Sequence, residues 1–313
     1  MSIFSNPFFY ASAGSTQVLT QKAIFGFGAA DAYNSVQSMT NLVSDEGVVA
    51  TDVTGVGLSR RLLAAAGYDE DKAIFGFGLT SSGVVSVSNL VSNSGVVATD
   101  TTGVGTARQG LGAAAYGGDK AIFAFGTTGS FTAVSNLVSN SGVVATDTTG
   151  VGTARGYIGA AGYGGDKALF GFGYDGTNWH STTNLVSDSG VVASDTTGVG
   201  QIRYYCAATG YGEDKAIFGF GSISGSSNTA ITNLVSNSGV VATDTAGVGT
   251  ARIGAGAAVY GGDKAIFGFG RPGTSGASGT AVSNLVSNSG VVATDTAGVG
   301  QARFQVAAAG YAN

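Results

Sequence analysis

The chain repeats one set of phrases six times, and this internal repeat constrains the fold more than any other feature of the sequence. The phrase K-A-[IL]-F-[GA]-F-G begins at six lysines: Lys22, Lys72, Lys120, Lys167, Lys215 and Lys264. The phrase N-L-V-S begins at six asparagines: Asn41, Asn89, Asn136, Asn184, Asn233 and Asn284. A third phrase ends in six arginines: Arg60, Arg108, Arg155, Arg203, Arg252 and Arg303. Asparagine and arginine are always 19 residues apart, whereas lysine and asparagine are 16 to 20 apart, so all length change falls in one segment.

The residue pattern within each copy of the repeat predicts four short strands. In the third copy these are strand a (Leu111–Tyr116), strand b (Lys120–Phe125), strand c (Val134–Ser139) and strand d (Val143–Asp147). The residues of strand b alternate with the two-residue period of a β-strand, and the sequence Asn-Ser-Gly between strands c and d is typical of a hairpin turn. Four strands in a unit of about 48 residues are typical of a propeller blade. We therefore predict an all-β chain that forms a six-bladed β-propeller with four antiparallel strands per blade.

The order of these phrases also resembles a known repeat. A small-residue strand, D-K-A-I-F-[GA]-F-G, a variable loop, a short strand and a final T-A-R, as between Gly118 and Arg155, resemble the kelch repeat. Blocks such as N-L-V-S-N-S-G-V-V-A-T-D-T-[TA]-G-V-G also resemble kelch-like repeat proteins in particles of tailed bacteriophages. The likeness covers about Gln21 to Tyr311 and implies a place in a virion, beside other virion proteins, as a tail, fibre or capsid-associated protein. It implies no particular chemistry.

Comparison of each part of the chain with the repeated phrases divides it into two predicted regions. Residues 1–20 fit poorly and carry apolar side chains, so we expect an N-terminal arm that attaches the protein to a larger assembly. Residues 21–313 are predicted to form the propeller, in which 304–311, a seventh good copy of strand a, completes the first blade. The first residues lack the pattern of a secretory signal, and no apolar stretch is long enough to span a membrane.

Charge and composition argue against several classes of site. A net charge of −5 with 14 basic residues does not favour nucleic-acid binding. The single cysteine, Cys206, and the single histidine, His180, lack the partners of a disulfide framework or a zinc site. We therefore expect no metal, no cofactor and no membrane insertion.

The repeated charged residues are interpreted as structural. A catalytic carboxylate needs a unique environment, whereas the Asp of D-T-[TA]-G, the Asp-Lys pair and the arginine recur in most or all copies. Partly buried charges need partners, and a repeat supplies them at each interface between blades. A nucleophile and base would have to come from Cys206 and His180, and nothing in their spacing joins them. We therefore expect no enzyme.

Variation between the copies points to a binding surface. It falls between strands b and c and just after each arginine, and an up-and-down blade brings these two segments to the same face. Loops on a rigid scaffold commonly carry specificity, and aromatic rings offer contact area at low entropic cost. The candidate ligand-binding residues on this face are Tyr33, Phe131, Tyr157, Tyr174, Asp175, Trp179, His180, Tyr204, Tyr205 and Arg271.

Three functions remain open at this point. The first is a virion structural or binding protein that presents the varied face to a host cell-surface protein or glycan. The second is an intracellular kelch-like protein–protein interaction module, and the third is a propeller enzyme. The sequence also leaves open whether the protein is a homo-oligomer within the particle, and neutral drift in tolerant loops is an alternative reason for the variation.

Overall fold

A computed structural model describes residues 20–31, 35–225, 227–273 and 278–313. Over these ranges the chain forms β-strands and turns and contains no helix, hence no helical segment that could cross a membrane. The prediction of an all-β fold is confirmed.

The strands are short and recur with the period of the repeat. In chain order they are β1 (Gln21–Gly26), β2 (Thr40–Val43), β3 (Ala64–Tyr68), β4 (Lys72–Gly76), β5 (Ser88–Val91), β6 (Gly112–Tyr116), β7 (Lys120–Ala124), β8 (Ser135–Val138), β9 (Gly159–Tyr163), β10 (Lys167–Tyr174), β11 (Trp179–Val186), β12 (Ala207–Tyr211), β13 (Lys215–Gly219), β14 (Ser222–Ser224), β15 (Ser227–Asn228), β16 (Thr232–Val235), β17 (Gly256–Tyr260), β18 (Lys264–Gly268), β19 (Ser283–Val286) and β20 (Ala307–Ala312).

Six antiparallel sheets of three strands each carry the fold. Their orders are β20-β1-β2, β3-β4-β5, β6-β7-β8, β9-β10-β11, β12-β13-β16 and β17-β18-β19. The first strand of each is an inner strand, corresponding to strand a, and the middle and outer strands correspond to b and c. A seventh, two-stranded sheet, β14-β15, lies in the variable segment of the fifth copy.

The prediction of four strands per blade is wrong. The segment read as strand d, Val143–Asp147, meets β8 through an isolated bridge between Val138 and Val144 and a backbone hydrogen bond from the Ala145 N–H to the Leu137 carbonyl at 2.8 Å, and a second isolated bridge joins Ser135 to Thr148 just beyond it. A side chain supplements this discontinuous pairing: the Asn136 amide donates to the Ala145 carbonyl at 3.0 Å and to Asp147 Oδ1 at 2.8 Å. Because the asparagine binds across the gap, the segment stays beside β8 without regular strand pairing.

The inner strands follow one another in a cyclic order. Each contacts the next, from β3 through β6, β9, β12 and β17 to β20, and β20 contacts β3. They surround a cavity of about 130 Å³ lined mainly by alanine and glycine. Large side chains at these converging positions would collide, which explains the small-residue composition of strand a.

Two closed circles of backbone hydrogen bonds link the ends of the inner strands. At one end the N–H of each residue just before an inner strand donates to its counterpart in the preceding copy, at 2.6 to 3.3 Å; the members are Leu62, Gly110, Tyr157, Tyr205, Gly254 and Gln305. At the other end the residue just after each strand tyrosine donates to the next copy at 2.7 to 3.0 Å; the donors are Asp69, Gly117, Gly164, Gly212, Gly261 and Ala312. Backbone hydrogen bonds therefore connect neighbouring copies at both ends of their inner strands.

The C-terminal strand belongs to the first sheet. β20 pairs with β1 in a register that runs from Gln21 opposite Ala312 to Gly26 opposite Ala307. Thr20 and Asn313 also exchange backbone hydrogen bonds, at 2.7 and 3.2 Å. The two termini of the described chain thus lie side by side.

The hydrophobic core lies between neighbouring sheets. One cluster joins Ile74 and Phe77 of the second sheet to Leu111, Phe123 and Val138 of the third, and five further clusters repeat this arrangement at the other junctions. The core is therefore a series of similar interfaces, each built from two copies of the repeat.

Candidate functional site

The two ends of the sheets differ in sequence and are named accordingly. The varied end comprises the segments between the middle and outer strands together with the residues after each repeated arginine. The uniform end comprises the Gly-Gly-Asp and Asn-Ser-Gly turns. The predicted meeting of the two varied segments is confirmed, because Gly156 and Tyr174 exchange backbone hydrogen bonds at 2.9 and 3.0 Å.

The repeated arginines hold neighbouring copies together. All six are fully buried. Arg155 donates through Nε to the Phe172 carbonyl at 2.8 Å and through Nη2 to Asn184 Oδ1 at 2.6 Å, while its Nη1 lies 3.5 Å from Asp195. Burial lowers the pKa of this guanidinium to about 10, against the opposing effect of Asp195. These contacts confirm the structural interpretation of the repeated arginine and aspartate.

The phenylalanine of each G-F-G or A-F-G phrase adopts an unusual backbone conformation that serves this network. Phe125 has φ of 64°, and its five equivalents have φ of 62° to 64°. Its carbonyl accepts the Arg108 Nε hydrogen bond at 2.8 Å, and its ring lies under the Arg155 guanidinium at 4.6 Å. The left-handed conformation, which is unfavourable for a bulky residue, therefore lets one phenylalanine contact two arginines.

Six aromatic side chains from three successive copies form one cluster at the varied end. Its members, Phe131, Tyr157, Tyr174, Trp179, Tyr204 and Tyr205, are each half-buried. The ring centroids of Tyr174, Trp179 and Tyr204 are 6.0 to 6.1 Å apart, with interplanar angles of 33° to 48°. The ring centroids of Tyr204 and Tyr205 are 4.9 Å apart, and those of Tyr205 and Tyr157 are 4.5 Å apart. We call this set the aromatic cluster.

A hairpin positions the outer part of the aromatic cluster. Strands β10 and β11 extend into the varied end, where Tyr174 pairs with Trp179. Asp175 Oδ1 accepts the backbone N–H groups of Thr177 and Asn178 at 2.7 Å each, and its Oδ2 lies 2.8 Å from His180 Nε2. Partial burial would raise the pKa of Asp175, but these hydrogen bonds hold it well below its ordinary value. The pair of Asp175 and His180 thus closes the hairpin that carries Trp179.

The inner part of the aromatic cluster reaches the centre of the varied end. Tyr157 and Tyr205, together with Leu62 and Gln305, line a cleft of about 70 Å³ there. Gln305 accepts a hydrogen bond from Arg61 at 2.7 Å and approaches the Tyr205 hydroxyl at 3.4 Å. Burial raises the pKa of the Tyr157 phenol, so its hydroxyl stays protonated at neutral pH. The aromatic surface therefore runs from this cleft outward to Trp179.

The remaining predicted site residues behave differently. Arg271 is only 6% exposed, and its guanidinium lies over the Phe304 ring at 5.0 Å, so it does not present a charge to an outside ligand. Its prediction as a contact residue is therefore corrected: it is a packed residue of the sixth copy. Tyr33 lies outside the described residues.

Two groups of residues at the site and its framework are not identified by the sequence prediction. The predicted site does not include Gln305, Arg61 and Leu62, although they follow the repeated arginine in their copies and carry the same signal as Tyr204 and Tyr205. The repeated asparagine bridges arginine and aspartate at five of the six junctions, the exception being Asn136 with Arg108, and its recurrence in the sequence does not reveal this role.

Cys206 is placed unfavourably for covalent chemistry. The side chain is buried against Leu169 and Phe172, and burial raises the pKa of its thiol. A reactive cysteine needs an accessible thiolate. Over the residues that the structure covers, no three histidine, cysteine or acidic side chains come together as metal ligands.

A comparison of the chain with models of known protein families found no match, and a comparison with curated protein sequences found none either.

Proposed function

We propose that the protein is a non-enzymatic virion protein, a kelch-like six-bladed β-propeller that uses its varied end to recognise a host surface. The six sheets would be the blades. Their cyclic contacts and the two circles of inter-copy hydrogen bonds support this arrangement. The virion setting rests on the resemblance of the repeated phrases to particle proteins of tailed bacteriophages.

The aromatic cluster is the observation that carries the proposed binding role. It is formed by residues that differ between copies, although the surrounding framework is nearly the same in every copy. Half-buried aromatic side chains in mutual contact provide a rigid recognition surface with little loss of entropy. Framework positions such as Arg155 and Asp195 are occupied by contacts between copies, which leaves the copy-specific residues for recognition.

The uniform end is proposed to face the particle and other virion proteins. Thr20 and Gln21 lie there, because the Gln21 carbonyl accepts the Gly261 N–H at 2.9 Å in the hydrogen-bond circle of that end. The described chain therefore begins at the uniform end, opposite the aromatic cluster. This supports an attachment role for the N-terminal arm, whose own residues lie outside the described ranges, apart from Thr20.

A binding assay on host cells tests the proposal. Fluorescently labelled protein should bind cells that adsorb the parent particle and should not bind resistant cells. Immunogold labelling of native particles should find the protein at a position accessible to the host. If the protein is absent from purified particles but recovers a soluble intracellular partner, the alternative of an intracellular interaction module replaces the proposal.

A further inference from the structure

The charges of the varied end are few, and three of them, Arg61, Arg271 and Asp175, are engaged in contacts within the protein. Of the 14 basic residues, six are the repeated lysines of the uniform end and six are the buried arginines. The other two are Arg61, bonded to Gln305, and the buried Arg271. Among the acidic residues, only Asp31 and Asp175 belong to the varied segments, and Asp175 is bonded to His180.

This distribution restricts the chemistry of a ligand. Acidic polysaccharides and nucleic acids are bound through clusters of available lysine and arginine, and a basic peptide would need unpaired carboxylates. The aromatic cluster offers neither. An uncharged ligand with both apolar and hydroxyl-bearing surfaces is the better match.

The shape of the aromatic cluster restricts the ligand further. Trp179, Tyr204 and Tyr205 follow one another from the hairpin to the central cleft, with centroid separations of 6.0 and 4.9 Å. The faces of aromatic rings are electron-rich and attract the slightly positive C–H groups of a sugar ring. A row of such rings suits several sugar units in line, and the exposed Thr177 and Asn178 at the hairpin tip add hydrogen-bonding groups at its outer end.

We infer that the aromatic cluster binds a neutral, linear oligosaccharide, laid along the row from Trp179 to Tyr205. This inference rests on the proposed recognition function and names its ligand class. Sugar units would stack on Trp179 and Tyr204, and the chain would end at the cleft beside Tyr205 and Gln305.

Titration of the intact protein with neutral and acidic oligosaccharides tests the inference. Trp179 is the single tryptophan, so its fluorescence reports directly on binding at the aromatic cluster. Trp179→Phe and Tyr204→Ala should each weaken binding of the neutral sugar by about tenfold or more, measured by calorimetry. The matched control is Gln109→Ala, at the position equivalent to Tyr204 two copies earlier, which should bind like the parent protein.

The outcomes separate this inference from the proposed function. Loss of neutral-sugar binding in both cluster variants, with the control unchanged, supports the inference. Binding of acidic sugars alone, or equal binding by parent and cluster variants, overturns it. Unchanged binding to host cells after periodate oxidation of their glycans also overturns it but leaves host recognition intact. Failure of the parent protein to bind either cells or sugars overturns both.

Discussion

At the scale of single residues, each junction between copies combines a fully buried arginine and asparagine with a partly exposed aspartate. Asn184 receives a hydrogen bond from Arg155 and donates one to Asp195, so three polar side chains satisfy one another across the boundary between copies. Gly152 makes this approach possible, because a Cβ on it would lie 2.4 Å from Asp195 Oδ1 and 2.5 Å from Asn184 Nδ2. The glycine recurs in every copy for the same steric reason.

Replacing one of these arginines should destabilise the protein markedly. Arg155→Ala leaves the Phe172 carbonyl and Asn184 Oδ1 without their donor in a buried site, at a cost of about 3 kcal/mol in the free energy of unfolding. Urea denaturation followed by circular dichroism measures this loss.

The matched control removes a charge at the uniform end. Lys120 pairs with Asp119 at 2.6 Å but is substantially exposed, so Lys120→Ala should change the free energy of unfolding by no more than about 0.5 kcal/mol. Equal effects of the two variants would refute the distinction between buried and exposed repeated charges.

The aspartates of the junctions predict loss of stability in acid. Partial burial raises the pKa of Asp195, but hydrogen bonds from Thr153 and Asn184 outweigh it and hold the pKa below the ordinary value; Asp147 and Asp295 behave alike. A pKa that is lower in the folded state than in the unfolded state stabilises the fold above the unfolded value, about pH 4. This stabilisation is lost as the pH falls through the folded-state value.

Urea denaturation at pH 7 and pH 3 checks this dependence. The parent protein should be less stable at pH 3, and Asp195→Asn should show a smaller difference between the two pH values because one titrating group is gone. An unchanged difference in the variant would show that Asp195 does not contribute to the acid sensitivity.

At the scale of elements, β20 differs from the other inner strands because it does not adjoin its middle strand along the sequence. It is the inner strand of the first sheet, and it comes from the opposite end of the chain from its partner β1. Its side chains Ala307, Ala309 and Tyr311 belong to the hydrophobic cluster between the first and second sheets. The first sheet therefore joins strands from the two ends of the described chain.

Deletion of residues 304–313 should lower the melting temperature by at least about 10 °C, because it removes several buried side chains and one member of each hydrogen-bond circle. Differential scanning calorimetry measures the change. Replacing 174–183 with 127–135 exchanges two segments of similar length that occupy equivalent positions in the repeat, and it should alter the melting temperature by only a few degrees. A deletion variant as stable as the parent would mean that β20 does not complete the fold.

The sequence predicted most elements because the repeat aligns them. In the third copy, whose bounds were predicted, the inner, middle and outer strands lie within one residue of the prediction, as β7 (Lys120–Ala124) does against Lys120–Phe125. Phe125 leaves the strand because it adopts φ of 64° to meet two arginines, a tertiary requirement that strand periodicity does not encode. The segment predicted as strand d forms only isolated bridges to the outer strand, and the Asn136 side chain donates to the Ala145 carbonyl between them, a tertiary contact that strand periodicity does not encode either.

The sequence predicts which end of the sheets carries the candidate site, but it does not predict which side chains of the site touch one another. Variation between copies gathered Phe131, Tyr174 and Tyr204 at one end, yet only the pairing of the varied segments brings their rings together. The burial of Arg271 against Phe304 depends on packing between the sixth copy and the C-terminal segment, which spacing along the sequence does not reveal.

At the scale of the whole molecule, the two ends are proposed to divide attachment from recognition. Deletion of residues 1–20 should therefore reduce incorporation into particles, measured by the amount of protein in purified virions. The isolated variant should still bind host cells, since the aromatic cluster lies at the other end. Normal incorporation combined with lost cell binding would place attachment and recognition the other way round.

The most direct test of this division is adsorption of particles that carry the exchanged loop. Replacing 174–183 with 127–135 removes Tyr174, Trp179 and His180 from the varied end but keeps a segment that the same framework already holds in the third copy. The proposal predicts particles with a normal content of the protein whose adsorption to host cells falls by about tenfold or more. Particles that adsorb normally, or that fail to incorporate the protein, would contradict it.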